Sequence, residues 1–236
     1  MNREQFEQEL EKMGIELTGH ELIMFNAYCD FLKEYNSHTN LTAITDDEGI
    51  FLKHFYDSLT LTRVINLKEC TNLIDIGTGA GFPGMVLKIL FPHLKLTLLD
   101  SNNKKIKFLQ ELAIKLELRD IEFYNGRAED YVKNHRESFD VVTARAVSNL
   151  PVLSELCLPL TKVDGYFIAL KGSNEEEIKE AEYAIKELGG TIEKIDHFEL
   201  PYAGGTRNII KIKKEKETNE KYPRRYDKIV KNPLIK

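Results

Sequence analysis

The 236-residue sequence predicts an α/β protein with a doubly wound, seven-stranded sheet, and three features carry that reading. From about residue 72, short apolar runs alternate with amphipathic helical patterns, the crossovers that parallel neighbours require. The first run enters a glycine loop directly. The last two runs are joined by a turn too short for a crossover, which makes them antiparallel neighbours and leaves the last strand antiparallel in the sheet.

In chain order, residues 1–66 read as an N-terminal helical extension. Thr18-Gly-His-Glu21 fits a capping box, and Leu22, Phe25, Cys29 and Leu32 form one apolar stripe at helical spacing. Asn36-Ser-His-Thr-Asn40 reads as a loop, with helix resuming between Ile50 and Ile65. The strand runs are Leu73–Ile76, Leu96–Leu99, Ile121–Tyr124, Phe139–Val142, Tyr166–Leu170, Ile192–Leu200 and Asn208–Lys213. Ile106, Leu109, Leu112, Ala113 and Leu116 mark the clearest crossover helix, and Pro201–Thr206 is the closing turn. This sets a sheet domain over 67–214 and a basic C-terminal tail over 215–236.

With 42% hydrophobic and 30% charged residues, the composition is that of an ordinary soluble globular chain. The run Val86–Phe91 is interrupted by Lys88 and falls short of the ~20 residues of a membrane span. The acidic start, Met1-Asn-Arg-Glu-Gln-Phe-Glu7, is unlike a secretory signal. A cytoplasmic protein with no membrane partner is expected. Cys29, Cys70 and Cys157 are odd in number and far apart, so they read as reduced thiols with no disulfide partner and no metal site. The net charge is −5, but eleven basic against four acidic residues from Arg207 to Lys236 give that end +7. Such a basic arm, including Arg224 and Arg225, is expected to meet phosphate; a solvated tail is the alternative.

The strongest motif is Leu73-Ile-Asp75-Ile-Gly77-Thr-Gly79-Ala-Gly81-Phe82-Pro83-Gly84, a strand running into a glycine loop with Pro83 at the first turn of a helix. Asp75 argues against an anionic pyrophosphate at this loop and for a cofactor carrying ammonium and sulfonium charge, which S-adenosylmethionine does. Asp100, 23 residues past Gly77, suits both ribose hydroxyls. Gly126-Arg-Ala128-Glu129 offers a backbone N–H and a carboxylate to an adenine edge. Each acid alone could be a helix cap or turn residue; three at successive strand ends point to a methyltransferase.

These segments, together with Asp100-Ser-x-x-Lys-Lys105-Ile-x-Phe-Leu109, Arg127-Ala-Glu129, Ala144-Arg-Ala-Val147, Leu170-Lys-Gly172 and Tyr222-Pro-Arg224, resemble the bacterial ribosomal RNA small-subunit methyltransferase G family, long called glucose-inhibited division protein B. Asn40-Leu-Thr-Ala-Ile44 and His54-Phe-Tyr-Asp-Ser58 extend the resemblance over nearly the whole chain. It implies the Rossmann-like class I S-adenosylmethionine-dependent fold. It also implies methylation of guanine N7 in the 530 loop of 16S ribosomal RNA, with S-adenosylhomocysteine as product. The family's cofactor contacts correspond to Gly77, Phe82, Ala128, Glu129 and Arg145. After Arg224, where many members carry a Gly-Pro turn, this chain has Tyr226-Asp-Lys-Ile-Val230.

After the fourth strand the chain has Thr143-Ala-Arg145-Ala where enzymes of exocyclic amines place Asn/Asp-Pro-Pro-aromatic. Guanine N7 is unprotonated and already nucleophilic, so catalysis needs alignment rather than a general base. Arg145 is the expected positioning residue, donating to O6, to a phosphate or to the cofactor carboxylate. Lys171 and Arg207, at strand ends, are expected phosphate contacts. The RNA substrate, naked or within a small subunit or assembly intermediate, is expected to meet a monomer. Another RNA or small-molecule methyltransferase of this fold, or a non-catalytic cofactor-dependent RNA-binding module, is the alternative.

Overall fold

The computed structural model describes residues 1–145, 147–172 and 175–236. Seven strands form one sheet: β1 (Asn72–Ile76), β2 (Lys95–Asp100), β3 (Ile121–Asn125), β4 (Phe139–Arg145), β5 (Thr161–Lys171), β6 (Gly190–Leu200) and β7 (Gly205–Lys214). Their order is β3-β2-β1-β4-β5-β7-β6. The five strands β1 to β5 pair in parallel, and β7 runs antiparallel to both its neighbours, β5 and β6. The chain winds outward from β1 to β3 and then returns to β4, so the β1/β4 boundary is the point where strand order reverses and where open α/β sheets bind ligands.

Ten α-helical segments accompany the sheet among the described residues: α1 (Arg3–Lys12), α2 (Gly19–Thr39), α3 (Asp47–Ile50), α4 (Asp57–Leu59), α5 (Gly84–Leu90), α6 (Asn103–Lys115), α7 (Ala128–His135), α8 (Leu150–Cys157), α9 (Glu175–Glu187) and α10 (Tyr226–Lys231). The Thr18 capping box forms as expected, with the Glu21 amide donating to the hydroxyl and the Thr18 amide donating to the Glu21 carboxylate. Asn36–Asn40 is not a loop. The helix continues to Thr39 and stops at Asn40, whose φ of 51° is left-handed. Asn36 instead exchanges two side-chain hydrogen bonds with the Thr42 backbone, which folds the exit back on the helix. Between α3 and α4 the chain widens into a π-helical turn over Phe51–Tyr56. Helix α5 opens at Gly84, so Pro83 is its N-cap residue, one position earlier than expected.

The helical extension packs on one face of the sheet through a chain of aromatic rings. Phe6 meets Phe25 and Phe51 at 5.3 and 5.2 Å, Phe25 and Tyr28 meet Phe55 at 5.2 and 5.1 Å, and Tyr28 stacks on Phe82 at 5.5 Å. Phe82 belongs to the glycine loop, so the extension supports that loop from behind. Tyr28 adds a hydrogen bond from its hydroxyl to the Ala80 carbonyl, 2.5 Å. On the other face, α7, α8 and α9 cover the sheet together with Tyr222 and Ile229 of the C-terminal segment. Burying such side chains contributes roughly 1.5–3 kcal/mol each. The tail is therefore part of the fold. Its Lys214 junction is fully buried, with the ammonium bonded to Glu137, Thr218 and two carbonyls. Cys29 and Cys157 are buried core thiols, and burial pushes Cys29 up to about 11. No helix among the described residues is long and apolar enough to cross a membrane.

Candidate active site

A cavity of about 440 Å³ opens at the carboxyl ends of β1 to β4, within the range of small-molecule sites. Gly77 and Gly79 of the loop form part of its wall, with Phe82, Asp100, Ala128, Glu129 and Arg145. Seven of the nine expected cofactor residues thus converge on one space.

The loop is shaped by its acids. Gly79 has a φ of +61°, and a Cβ there would meet nothing nearer than 4.0 Å, so its missing side chain leaves room on the cavity side. Its amide donates to Asp100 Oδ2 at 3.0 Å, while Oδ1 accepts from Asn102, so Asp100 is held at the cavity edge. Each carboxylate oxygen still has a lone pair for a further donor. The N-cap Arg127 of helix α7 makes no side-chain cap bond, and the first-turn residues Ala128 and Glu129 line the same space. Burial raises the Glu129 carboxyl above its ordinary value.

Asp75 and Gly81 do not reach the wall. Asp75 is fully buried beneath the loop, and Oδ2 accepts from the Gly84 amide and the Thr78 hydroxyl, both at 2.8 Å. Burial pushes it up to about 6, against those hydrogen bonds and the Arg145 charge. Asp75 thus acts on the loop's shape, the cap role that a lone acid suggests. Gly81, with φ +98°, lies against the Tyr28 hydroxyl, Met85 and Leu109, where a Cβ would sit 2.5, 2.8 and 2.9 Å away.

Arg145 ends β4 and stands on the cavity wall with its guanidinium 5.2 Å over the Phe82 ring. Nη1 donates to the Lys53 carbonyl (3.0 Å) and to Asp57 (3.2 Å), and Nη2 donates to His54 Nδ1 (3.2 Å). The same Nδ1 lies 3.2 Å from the Lys53 carbonyl, and Nε2 lies 2.8 Å from the Thr42 hydroxyl. Burial, with the Arg145 charge, pushes His54 down to about 3. Its ring stacks on Phe82 at 4.3 Å. Asp57, 4% exposed, also accepts from Arg207 Nε at 3.0 Å, so one carboxylate joins two arginines from β4 and β7. Sequence reasoning missed Asp57. His54-Phe-Tyr-Asp-Ser58 carried the signal as a motif, but nothing in its spacing shows that it meets residues 145 and 207.

The expected substrate residues do not gather at the cavity. Lys171 donates to the Ser148 carbonyl (2.6 Å) and pairs with Glu177 (2.7 Å), fastening the loop that follows β4. Arg207 is held by Asp57. Arg224 forms a two-pronged fork on fully buried Glu155, which makes it a structural anchor. Arg225 is 83% exposed and pairs only locally, with Asp227. Ala146 of the Ala144–Val147 motif lies outside the described residues.

Residues 21–210 match the family model described as rRNA small subunit methyltransferase G. Among similar proteins, all named ribosomal RNA small subunit methyltransferase G, that of Bacillus licheniformis is 49% identical over 237 residues, covering 99% of either chain. That of Exiguobacterium sibiricum is 47% identical, covering 99% of this chain and 100% of its own, and that of Bacillus cytotoxicus is 50% identical over 95% of either. Among solved structures, precorrin-6y C5,15-methyltransferase from Geobacter metallireducens aligns with a TM-score of 0.55 and 16% identity over 73% of this chain and 90% of that one. A SAM-dependent methyltransferase from Aquifex aeolicus aligns with a TM-score of 0.53 and 19% identity over 74% and 97%. At that identity the structural likeness bears on the fold alone.

Proposed function

The chain belongs to the ribosomal RNA small subunit methyltransferase G family, and from that premise we propose how its strand-end cavity works and on which atom it acts. It is an S-adenosylmethionine-dependent methyltransferase of 16S ribosomal RNA. The residues present suit that cofactor. Gly79 leaves room for close approach, Asp100 keeps lone pairs at the end of β2, and the first turn of α7 lines the cavity. Asp100 would hold the ribose hydroxyls, Ala128 N–H and Glu129 the adenine edge, and Gly77 and Phe82 the remainder of the ligand. When bound, the cofactor supplies an electrophilic methyl group on a sulfonium.

We assign the acceptor as guanine N7 in the 530 loop. The observation that carries this reading is Arg145, a cationic donor fixed on the cavity wall by Lys53, His54 and Asp57. His54, buried against Arg145, is pushed far below neutrality, and Asp75 is sealed beneath the loop. Such a wall suits a nucleophile with no proton to lose. Among the described residues Arg145 keeps two N–H groups beyond its protein contacts, and these are donors for the O6 acceptor beside N7. Alignment and exclusion of water then supply the rate. Arg225 and Arg207 remain our candidates for RNA phosphate, with the protein acting as a cytoplasmic monomer. Ribosomal RNA from a strain lacking the gene should lose 7-methylguanosine from the 530 loop, and the wild-type gene should restore it. Unaltered 7-methylguanosine in that strain contradicts the assignment.

A further inference from the structure

The C-terminal segment is the most basic part of the chain, yet its anchors turn inward. Arg224 holds buried Glu155 of α8 through Nε (2.8 Å), Nη2 (2.6 Å) and its own backbone amide (2.8 Å). Arg136, at the end of α7, donates to the carbonyls of Thr218, Asn219 and Tyr222 at 2.8, 3.0 and 2.9 Å. The two helices gripped in this way are those that bring Ala128 and Leu156 to the cavity wall. Held there, the first residue of α10, Tyr226, becomes part of the same wall, and the Arg127 guanidinium lies 4.8 Å from its ring centre.

We propose that Tyr226 is a cofactor-contacting residue whose ring covers the adenine end of the cavity, so that the C-terminal segment belongs to the S-adenosylmethionine site. This rests on reading the cavity as that site. Adenine is a flat ring with little polarity on its faces, and a tyrosine supplies a large rigid surface for it at small entropic cost. The Arg127 guanidinium, also on the cavity wall, orients the ring. The charge of the tail suggests that it can be removed with loss of RNA affinity alone. The geometry says otherwise: docking of the tail and binding of cofactor are linked, because a ligand that touches Tyr226 binds the docked form better.

The test is calorimetry on the full-length protein with two probes, S-adenosylhomocysteine and 5′-methylthioadenosine, which lacks the amino-acid portion. Tyr226→Ala should weaken both by about tenfold, the scale of one base–aromatic stack. Tyr226→Phe and Lys231→Ala, the latter on the exposed side of the same helix, should stay within about twofold. Tyr226→Leu keeps bulk for docking without an aromatic face, so it should fall between, and it reads out the inference should Tyr226→Ala unfold. Failure of the wild type to bind S-adenosylhomocysteine overturns the reading of the cavity. A wild type that binds, with Tyr226→Ala and Tyr226→Leu both within twofold, overturns the inference alone. So does a loss in Tyr226→Phe equal to that in Tyr226→Ala, or a loss seen with S-adenosylhomocysteine but not with 5′-methylthioadenosine.

Discussion

Asp57→Ala removes the acceptor shared by Arg145 and Arg207. The carboxylate is 4% exposed and accepts at 3.2 Å from one guanidinium and 3.0 Å from the other, and those side chains are 15% and 22% exposed. Breaking one side of a fully buried ion pair costs about 3–5 kcal/mol. The two arginines keep some access to water, so a loss of about 2–4 kcal/mol is expected. In urea this is a midpoint shift on the order of 1 M with an unchanged slope. Asp57→Asn keeps one acceptor oxygen and should cost roughly half as much. The double variant Asp57→Ala/Arg207→Leu should regain part of the loss, because one of the two facing cations is gone. A midpoint for Asp57→Ala within about 0.2 M of the wild type would show that the arginines do not depend on this carboxylate.

Three further outcomes follow from the same geometry. Gly79→Val should lose S-adenosylmethionine binding and cost about 1–3 kcal/mol through its positive φ alone, since a Cβ there meets nothing nearer than 4.0 Å; Gly81→Ala should spare binding more, costing about 2–4 kcal/mol in a thermal or urea melt through its contacts with Tyr28 and Met85 as well as its positive φ. Asp75 is raised in the folded state to about 6, so between its unfolded value and about pH 6 the folded chain holds a proton that the unfolded chain has lost, and stability drops as pH rises through that window. The wild type minus Asp75→Asn difference in unfolding free energy should therefore fall by ~1.4 kcal/mol per pH unit from about pH 4 to pH 6 and level off above; a difference that rises there reverses the assignment. Single-turnover methyl transfer should be nearly flat from about pH 7 to pH 8.5, because His54 stays neutral and Asp75 is ionised throughout, and Arg145→Ala should lower the rate without adding a limb; a rate climbing tenfold per unit would reveal a general base.

The sheet was legible because its strands are short apolar runs bounded by glycine and polar turns, and all seven expected runs lie inside β1 to β7. The cavity wall was legible in its strand-end residues, since Gly77, Asp100, Glu129 and Arg145 follow apolar strands whose parallel packing brings their ends together. What stayed hidden depends on distance along the chain. Nothing local shows that Asp57 meets residues 145 and 207, that Glu155 waits for Arg224, or that Lys171 spends its charge on Ser148 and Glu177. Asn36–Asn40 misled for a local reason, because its polar side chains bond to nearby backbone and so lengthen and close a helix that their composition reads as a loop. The tail misled through its net charge, which does not reveal that one arginine is buried on a glutamate while its neighbour faces solvent.

The central claim, transfer of a methyl group to guanine N7 without a general base, is tested most directly by product identity. The purified protein would be given methyl-labelled S-adenosylmethionine and small ribosomal subunits from a strain lacking the gene, and the RNA digested to nucleosides. The expected result is label in 7-methylguanosine alone, recovered from the fragment that spans the 530 loop, and its loss with Asp100→Ala. Label in a guanine or adenine methylated on its exocyclic amine would contradict the account, because that chemistry demands proton removal, whereas the account rests on a nucleophile with no proton to lose beside Arg145.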